Sequence, residues 1–395
     1  VNIAIWWEQE SWGGVDAHLA NLLGAWPAPD RFTIFHNLSN PGVKRIGQTI
    51  AQRNVKTIAF PEWRTGHRSF FRKVADYIFL PLRFWWWKRE ARQILSAQDP
   101  FDAIIADNGA YPGAWTCLAA LHAAKQLDIG KRVLLIHHSA ASFSRGRSFF
   151  ERTVDRGVQS WATDIVAVSN ATRETLVQVR GFDPDRFPIR VIHNGIRIPE
   201  QTRQRGALRD RWVTESDETV LGMLGRIEPY KGQEDVLLAM SKLPSDLRAN
   251  MRLVVVGEGT EDEKARLRNI ADRLGLGDRL VFTGYLDGES SEIAQEFDVL
   301  IMATKDFEGF GLAAAEAMAV GTPVLATAVG GTIEFMNENN ALLVPPQSPG
   351  AIAEALERHM RDPESARLRV QAARETIAKF SDIAMAQNFY RLLNS

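Results

Sequence analysis

The stretch Val220-Leu-Gly-Met-Leu-Gly225-Arg-Ile-Glu-Pro-Tyr-Lys231-Gly232 sets a pattern that recurs through the chain. Val220 to Leu224 is apolar on both faces, as a strand is when helices cover a parallel sheet above and below. Gly225, Pro229 and Gly232 then break it into a turn. Outward from it, the second half carries further short apolar runs at Leu253-Val-Val-Val256, Leu280-Val-Phe282, Val299-Leu-Ile-Met302, Pro323-Val-Leu-Ala326 and Leu342-Leu-Val344. In the first half they are Ile3-Ala-Ile-Trp-Trp7, Phe32-Thr-Ile-Phe35, Ala103-Ile-Ile-Ala106, Val133-Leu-Leu-Ile136, Ile165-Val-Ala-Val168 and Arg190-Val-Ile192. Longer helical patterns separate them. Strand–helix repetition predicts doubly wound α/β units, and two such series predict two Rossmann-like domains in tandem, each with five or six strands.

The join falls at Asn194-Gly195-Ile196-Arg197-Ile198-Pro199, a turn-and-breaker signal. Domains are expected over 1–196 and 197–376, with a helical segment over 377–395 able to pack back on the first. Pro199 to Arg211 reads as polar and helical. Charge changes sign at the join. Residues 1–196 carry 24 Lys and Arg against 17 Asp and Glu, and residues 197–395 carry 23 against 31. Either this is scatter over two solvated surfaces, or the first half faces an anionic partner.

At 395 residues the chain is too long for one ordinary core, and 45% hydrophobic with 24% charged residues is a soluble globular profile. The lone Cys117 excludes an internal disulfide framework and fits a reducing compartment. No apolar run is long enough for a transmembrane helix. The opening Val1-Asn-Ile-Ala-Ile5 reads as a strand, without signal-peptide features. The expected location is the cytoplasm.

Chemistry concentrates in Thr304-Lys-Asp-Phe-Glu308-Gly309-Phe310-Gly311-Leu312-Ala-Ala-Ala-Glu316-Ala-Met-Ala-Val-Gly321-Thr-Pro323. It follows a strand, and ligands bind at the carboxyl ends of strands in open α/β sheets. Gly309 and Gly311 let the backbone approach a ligand. The Ala-rich run from Leu312 is a good helix former whose first N–H groups face the glycine loop and suit a phosphate. Glu308 and Glu316 can each hold a pair of sugar hydroxyls on opposite sides of a diphosphate. Alone, such a carboxylate pair is more often a surface Glu beside a helix-facing one. Arg226 and Lys231, five residues apart across a turn, can converge on one anion, a planar fork beside a point charge. Alone, that turn could equally be solvated.

Together, Gly225-Arg226…Lys231-Gly232, Val256-Gly257-Glu-Gly259, Phe282-Thr-Gly284, Glu308-Gly-Phe-Gly…Glu316-Ala, Gly321-Thr-Pro323-Val and Gly330-Gly331 form an ordered series. It resembles family 4 of the retaining glycosyltransferases, specifically across residues 220–346 and more weakly before them. The resemblance implies the GT-B fold, two Rossmann-like domains facing across a cleft. Glu308 would hold hydroxyls of the transferred sugar and Glu316 the ribose, with Tyr285 and Leu286 bordering the base. Arg226 and Lys231, helped by backbone N–H groups from Gly309 to Leu312, would neutralise the diphosphate. In the first half, Trp12-Gly13-Gly14-Val15 matches a turn that approaches the donor phosphates. His137-His138-Ser139 matches a strand end with a His near the donor sugar, taken here as His138 with His137 in reserve. Asn194-Gly195 matches the family's interdomain hinge.

Similar enzymes retain anomeric configuration by front-face attack, need no protein nucleophile and no bound metal, and use the UDP- or GDP-sugar as co-substrate rather than a cofactor. The acceptor is expected to be a glycan or a lipid-linked sugar of bacterial polysaccharide or lipopolysaccharide type, with Glu10, Trp12, Asp107, Asn108 and Tyr111 as candidate contacts. Two rivals remain: a GT-B nucleotide-sugar epimerase using Asp107 or Glu10 as acid and base, and a non-catalytic nucleotide-sugar binder. A dehydrogenase would need a third glycine after Gly257-Glu-Gly259.

Residues 63–92 hold eight Lys or Arg, two acidic residues and nine aromatics, interrupted by Pro81, which is expected to break or kink a helix. Basic and aromatic side chains on one helix suit an anionic membrane surface. The alternative is a helix pair covering the first sheet with its tryptophans in the core. Nucleic-acid binding is not expected, since no reading motif accompanies the charge.

Overall fold

The computed structural model describes residues 1–10, 12–49, 51, 53–61, 70–199, 205–206, 208–213, 215 and 217–395. They form two compact units, Val1–Gly195 with Asp382–Ser395, and Ile196–Ser381.

In the first unit the strands are β1 (Asn2–Trp7), β2 (Arg31–Asn37), β3 (Val55–Phe60), β4 (Ala103–Asn108), β5 (Lys131–Ile136), β6 (Asp164–Ala167) and β7 (Ile189–Val191). Between them run α1 (Gly14–Gly24), α2 (Gly42–Thr49), α3 (Phe70–Ser96), α4 (Trp115–Gln126), α5 (Ser148–Trp161) and α6 (Asn170–Arg180). The strand order is β3-β2-β1-β4-β5-β6-β7. Neighbours are parallel, with Ile5 of β1 opposite Ile34 on one side and Ile105 on the other. All of β1 and β4 is buried, which is why those runs show no polar face.

The second unit has β8 (Thr219–Leu224), β9 (Met251–Val256), β10 (Leu280–Gly284), β11 (Val299–Met302), β12 (Val324–Thr327) and β13 (Leu342–Val344). Its helices are α7 (Gln233–Lys242), α8 (Ser245–Arg248), α9 (Glu261–Arg273), α10 (Ser290–Ala294), α11 (Leu312–Val320), α12 (Pro349–Arg361) and α13 (Pro363–Ile377). The order is β10-β9-β8-β11-β12-β13, again parallel. Both sheets therefore have a switch point, where strand order turns back on itself: between β1 and β4 in one, between β8 and β11 in the other. The fold class is the expected one, two Rossmann-like parallel-sheet units.

The last helix, α14 (Asp382–Leu393), belongs to the first unit. Phe389 packs 5.8 Å from the His18 ring and Tyr390 5.8 Å from Trp26, while Met385 Sδ accepts the Gly195 N–H at 3.0 Å.

Two local expectations need correcting, and a third falls partly outside the described residues. Among the described residues the first sheet has seven strands, because Val55–Phe60 forms an edge strand. Its Lys56, Thr57 and Ala59 are exposed, so it lacks the two-sided apolar signature of its neighbours. Of Pro199–Arg211, 200–204 and Ala207 lie outside the described residues, and among those described Arg209–Arg211 makes a 3₁₀ turn. There Arg209 anchors to Asp298 at 2.9 Å and to the Glu296 carbonyl at 3.1 Å. Pro81 does not break α3, which continues to Ser96. Leu80, Phe84, Trp87, Ala91 and Leu95 recur at helical spacing and are all buried. At about 1.5–3 kcal/mol for each large side chain, that face outweighs the roughly 3 kcal/mol cost of an internal proline. Residues 63–69 of the basic aromatic segment lie outside the described residues.

A polar network inside the first unit escaped the sequence reading. Arg180 is wholly buried and forks onto Asp155 with two bonds of 3.0 Å and onto Glu151 with one of 3.0 Å. Tyr111 donates to the same Asp155 at 2.7 Å. Breaking a buried ion network from one side strands the remaining charges. Arg180→Met is therefore expected to destabilise the first unit by about 3–5 kcal/mol, seen as an earlier calorimetric transition. Replacing Arg180, Asp155 and Glu151 together with apolar residues of similar volume should recover most of the loss; equal losses in both variants would contradict this account.

Candidate active site

In the second unit the turns after β8 and β11 stand at the switch point, the usual ligand position in such sheets. The turn after β8 holds Arg226, then a 3₁₀ turn over Pro229–Lys231, then Gly232 at φ +76°. The loop after β11 runs from Ala303 to Gly311, which sits at φ +99° as the N-cap of α11 with no side chain capping it. Backbone N–H groups of the first turn of α11 thus face outward, where the helix dipole favours an anion.

Lys231 and Glu308 meet across these turns. Lys231 Nζ donates to Glu308 Oε2 at 2.8 Å, and the buried Thr304 hydroxyl donates to the same oxygen at 3.0 Å. Burial pulls the Lys231 pKa down, but the Glu308 carboxylate outweighs it, and the amine titrates above its ordinary value. It is a fixed cation. Arg226 lies alongside, half-exposed, donating to the Tyr230 hydroxyl at 3.2 Å and paired with Glu228 at 3.1 Å. The same Tyr230 ring lies 5.1 Å from Lys231 Nζ, so both cations gather around one aromatic.

The glycine series has a mechanical cause. A Cβ on Gly257 would lie 2.0 Å from the Gly225 carbonyl oxygen, and one on Gly259 2.5 Å from Ile227 Cβ. Without them the turns stack: Gly225 N–H bonds the Val256 carbonyl at 3.0 Å, Ile227 N–H the Glu258 carbonyl at 2.7 Å, and Gly257 N–H the Gly284 carbonyl at 2.9 Å. Glu258 in turn accepts the Tyr285 N–H at 3.1 Å, leaving the Tyr285 side chain exposed and Leu286 half-buried beside it. Glu316 lies half-buried in the second turn of α11. Gly309 is buried in the loop, and the Phe310 ring is too, stacked 4.7 Å from Phe335, so Phe310 presents only its backbone to a ligand.

Thr304 and the pair Gly330–Gly331 are missing from the residues singled out as site-forming. Gly331 N–H donates to the Glu308 carbonyl at 2.8 Å, and a Cβ on Gly330 would stand 2.1 Å from that oxygen. Gly330, at φ +56°, thus fixes where Glu308 stands.

In the first unit, the turn after β1 carries Gly13 and Gly14, both exposed at the start of α1. Gly13 N–H bonds Asp16 Oδ2 at 2.6 Å. The two histidines at the end of β5 separate. His137 is buried and bound to Asp107 Oδ1 at 2.7 Å, with its ring 4.6 Å from that of His18. His138 is half-buried, its Nδ1 3.1 Å from the Ser139 hydroxyl. His18 is pushed well below the ordinary imidazole pKa, by burial and then by His137, so it is neutral and donates from Nδ1 to Asn194 Oδ1 at 2.8 Å. Of the acceptor candidates, Asn108 and Tyr111 are committed inward: Asn108 bonds Ala114 N–H at 2.9 Å and the Pro112 carbonyl at 2.8 Å. Asp107 is buried on His137, and Trp12 is half-buried under the Arg45 guanidinium at 4.3 Å. Glu10 is exposed.

Two family models match the chain, described as Glycosyltransferase Family 4 over residues 12–198 and Glycosyl transferases group 1 over residues 204–376. Together they take in most of both units, and the chain belongs to the family 4 glycosyltransferases. It is 30% identical over 205 residues to an uncharacterized glycosyltransferase of Methanocaldococcus jannaschii, a match covering 50% of this chain and 51% of that protein. To the D-inositol 3-phosphate glycosyltransferase of Streptomyces avermitilis it is 33% identical over 220 residues, covering 52% and 47%. The chain thus matches about half the length of these curated relatives. Among solved structures, Anabaena HepE in complex with UDP covers all of both chains at a TM-score of 0.77 and 19% identity. Sucrose-phosphate synthase of Thermosynechococcus elongatus gives 0.73 at 22% identity, covering 100% and 98%. These likenesses are of fold, the GT-B fold.

Two expected outcomes follow from these contacts. Gly330→Ala should push the Glu308 loop aside and weaken nucleotide-sugar binding at least about tenfold by titration calorimetry; unchanged affinity would remove Gly330 from the site. The second concerns Asp16, which burial raises from 3.8 to about 7, the Asp107 charge adding to the rise while the Gly13 N–H opposes it. The folded state then holds a proton the unfolded chain releases, so this contribution to stability is whole below about pH 4 and lost as pH rises through about 7. Asp16→Asn keeps the bond to Gly13 without the charge. Its melting temperature relative to wild type should climb between about pH 4 and about pH 7 and then level; a pH-independent difference would contradict the assignment.

Proposed function

We propose that the chain is a retaining glycosyltransferase that moves a sugar from a UDP- or GDP-type donor to a glycan or lipid-linked acceptor in bacterial cell-surface polysaccharide or lipopolysaccharide synthesis. The observation that carries this reading is the meeting of Lys231 and Glu308 beside the uncapped start of α11. A cation, a carboxylate and free N–H groups at one place suit a diphosphate with a sugar attached. HepE, which shares the fold, was solved with UDP and with UDP-glucose, in keeping with such a donor.

In this reading Glu308 leaves Lys231 on donor binding and takes sugar hydroxyls, while Lys231 and Arg226 turn to the diphosphate. Glu316 holds the ribose, and Tyr285 and Leu286 border the base. The backbone from Gly309 to Leu312 supplies further donors to the phosphates. His138 and the Gly13–Gly14 turn of the first unit also serve the donor, His138 rather than His137 because His137 is committed to Asp107. The acceptor oxygen bonds to the anomeric carbon on the face from which the diphosphate departs. The bond from that carbon to the phosphate oxygen breaks, and the acceptor proton passes to the leaving phosphate. No protein nucleophile enters, and the charge on the leaving group is met by Arg226, Lys231 and the helix start rather than by a metal. The enzyme acts in the cytoplasm, at the inner face of the plasma membrane where the acceptor is lipid-linked.

A thermal-shift series with UDP-, GDP- and ADP-sugars should single out one base, since a ligand bound only by the native state raises its stability. With that donor, Lys231→Ala should lower kcat by about 10²–10³ and Glu316→Ala should weaken nucleotide binding about 10–100-fold. Turnover should survive a metal chelator, with the anomeric configuration retained by NMR of the product. No shift with any nucleotide sugar, or Glu316→Ala binding as wild type, would overturn the donor-site assignment; an inverted product would overturn the stereochemical one.

A further inference from the structure

Helix α3 is apolar on two opposite faces, and only one is covered. Inward, Phe84 packs its ring 5.6 Å from Trp115, 5.9 Å from Phe150 and 6.2 Å from Trp161, with Leu80, Trp87, Ala91 and Leu95 buried on the same side. Outward, Ile78, Phe79, Leu82, Trp85 and Trp86 are 61%, 52%, 62%, 48% and 62% exposed. At 3.6 residues per turn these five fall within an arc of about 120°. A single exposed apolar side chain is ordinary, but five large ones on one stripe of a soluble unit require an occupant.

The surroundings say which. From Ile78 to Ser96 the basic residues are Arg83, Lys88, Arg89 and Arg92, and the acidic one is Glu90. Arg89 shares the outward arc and lays its guanidinium 4.8 Å from the Trp85 ring. The start of α5 lies beside the middle of α3 through Phe84 and Phe150, and there Phe149 is 81% exposed. Exposed Arg145, Arg152 and Arg156 accompany it, while the acids of that helix, Glu151 and Asp155, are buried on Arg180. An isologous dimer through this face would put two copies of one basic stripe, Arg83, Lys88, Arg89 and Arg92 against a single Glu90, into the same interface. A nucleic-acid backbone gives Ile78 and Leu82 nothing to bury against. No helix among the described residues is long and apolar enough to cross a membrane.

We infer that the outward face of α3 is an interfacial anchor. It lies in the plane of an anionic bilayer with Ile78, Phe79, Leu82, Trp85 and Trp86 in the headgroup–acyl boundary and the flanking arginines on lipid phosphates. Indole rings suit that layer because one edge is polar and the body is not. Basic residues near the surface each add to the attraction, which salt screens. The inference extends the membrane-side location proposed above and is independent of the donor chemistry, so each can fail without the other.

The test is sedimentation of the full chain with vesicles of phosphatidylcholine alone or mixed with phosphatidylglycerol, at low salt and at about 0.5 M salt. Binding is expected to the mixed vesicles at low salt, and to drop at least about tenfold in high salt or on neutral vesicles. Leu82→Ser with Trp86→Ser, and separately Arg89→Glu with Arg92→Glu, should each weaken it at least about tenfold while the melting temperature and the nucleotide-sugar shift stay as wild type. Absence of binding to anionic vesicles at low salt would overturn the inference. So would undiminished binding by the Leu82/Trp86 variant, or vesicle-independent self-association that this variant abolishes.

Discussion

The turn after β8 and the loop after β11 run so close that Gly232 has no room for a β-carbon, which would lie 2.1 Å from the Ala303 carbonyl oxygen. The Lys305 N–H donates to the Tyr230 carbonyl at 2.8 Å and closes the same gap. This approach is what lets a lysine on one turn reach a glutamate on the other. It also gives one wall of the site its shape, since β9 and β10 can add their own turns only if Gly257 and Gly259 stay bare. A parallel sheet puts all these turns at one end, and the glycines let them pile into a continuous surface.

The same economy recurs in the first unit with different chemistry. There the turn after β1 is held by the Asp16 carboxyl group, bonded to the Gly13 N–H, and the ends of β4 and β5 are joined by the Asp107–His137 pair. Neutral His18 links this group to Asn194, four residues past Arg190 of the last strand. In the second unit a charged pair lies partly open to solvent, whereas here the polar groups are interior and burial lets Asp16 keep its proton up to about pH 7.

What the sequence disclosed depended on how locally each feature is encoded. Strands buried on both faces announce themselves as apolar runs, and Gly225 and Gly257 were legible because each interrupts the chain right after such a run. Val55–Phe60 went unread because an edge strand alternates weakly and carries Lys56 outward. Gly330 stood in the motif, yet its hold on Glu308 spans more than twenty residues and depends on where two loops end up. The Arg180 network joins α6 to α5 and to Tyr111, a pairing no spacing rule supplies. The three consecutive tryptophans divide by helical phase alone: Trp87 faces the core while Trp85 and Trp86 do not.

The assignment of Asp382–Ser395 to the first unit also bears on the order in which the molecule can be assembled. The Phe389 and Tyr390 rings that pack beside His18 and Trp26 leave the ribosome only after all of residues 196–381 have been made. Until then α1 lacks the helix that covers it. Contacts so far apart in sequence close slowly, because the intervening chain must first be ordered or looped out. The second unit, continuous in sequence, is under no such delay. The Ile196–Ser381 pairing within it holds the chain's exit from the first unit beside its return, which shortens the loop that α14 must close.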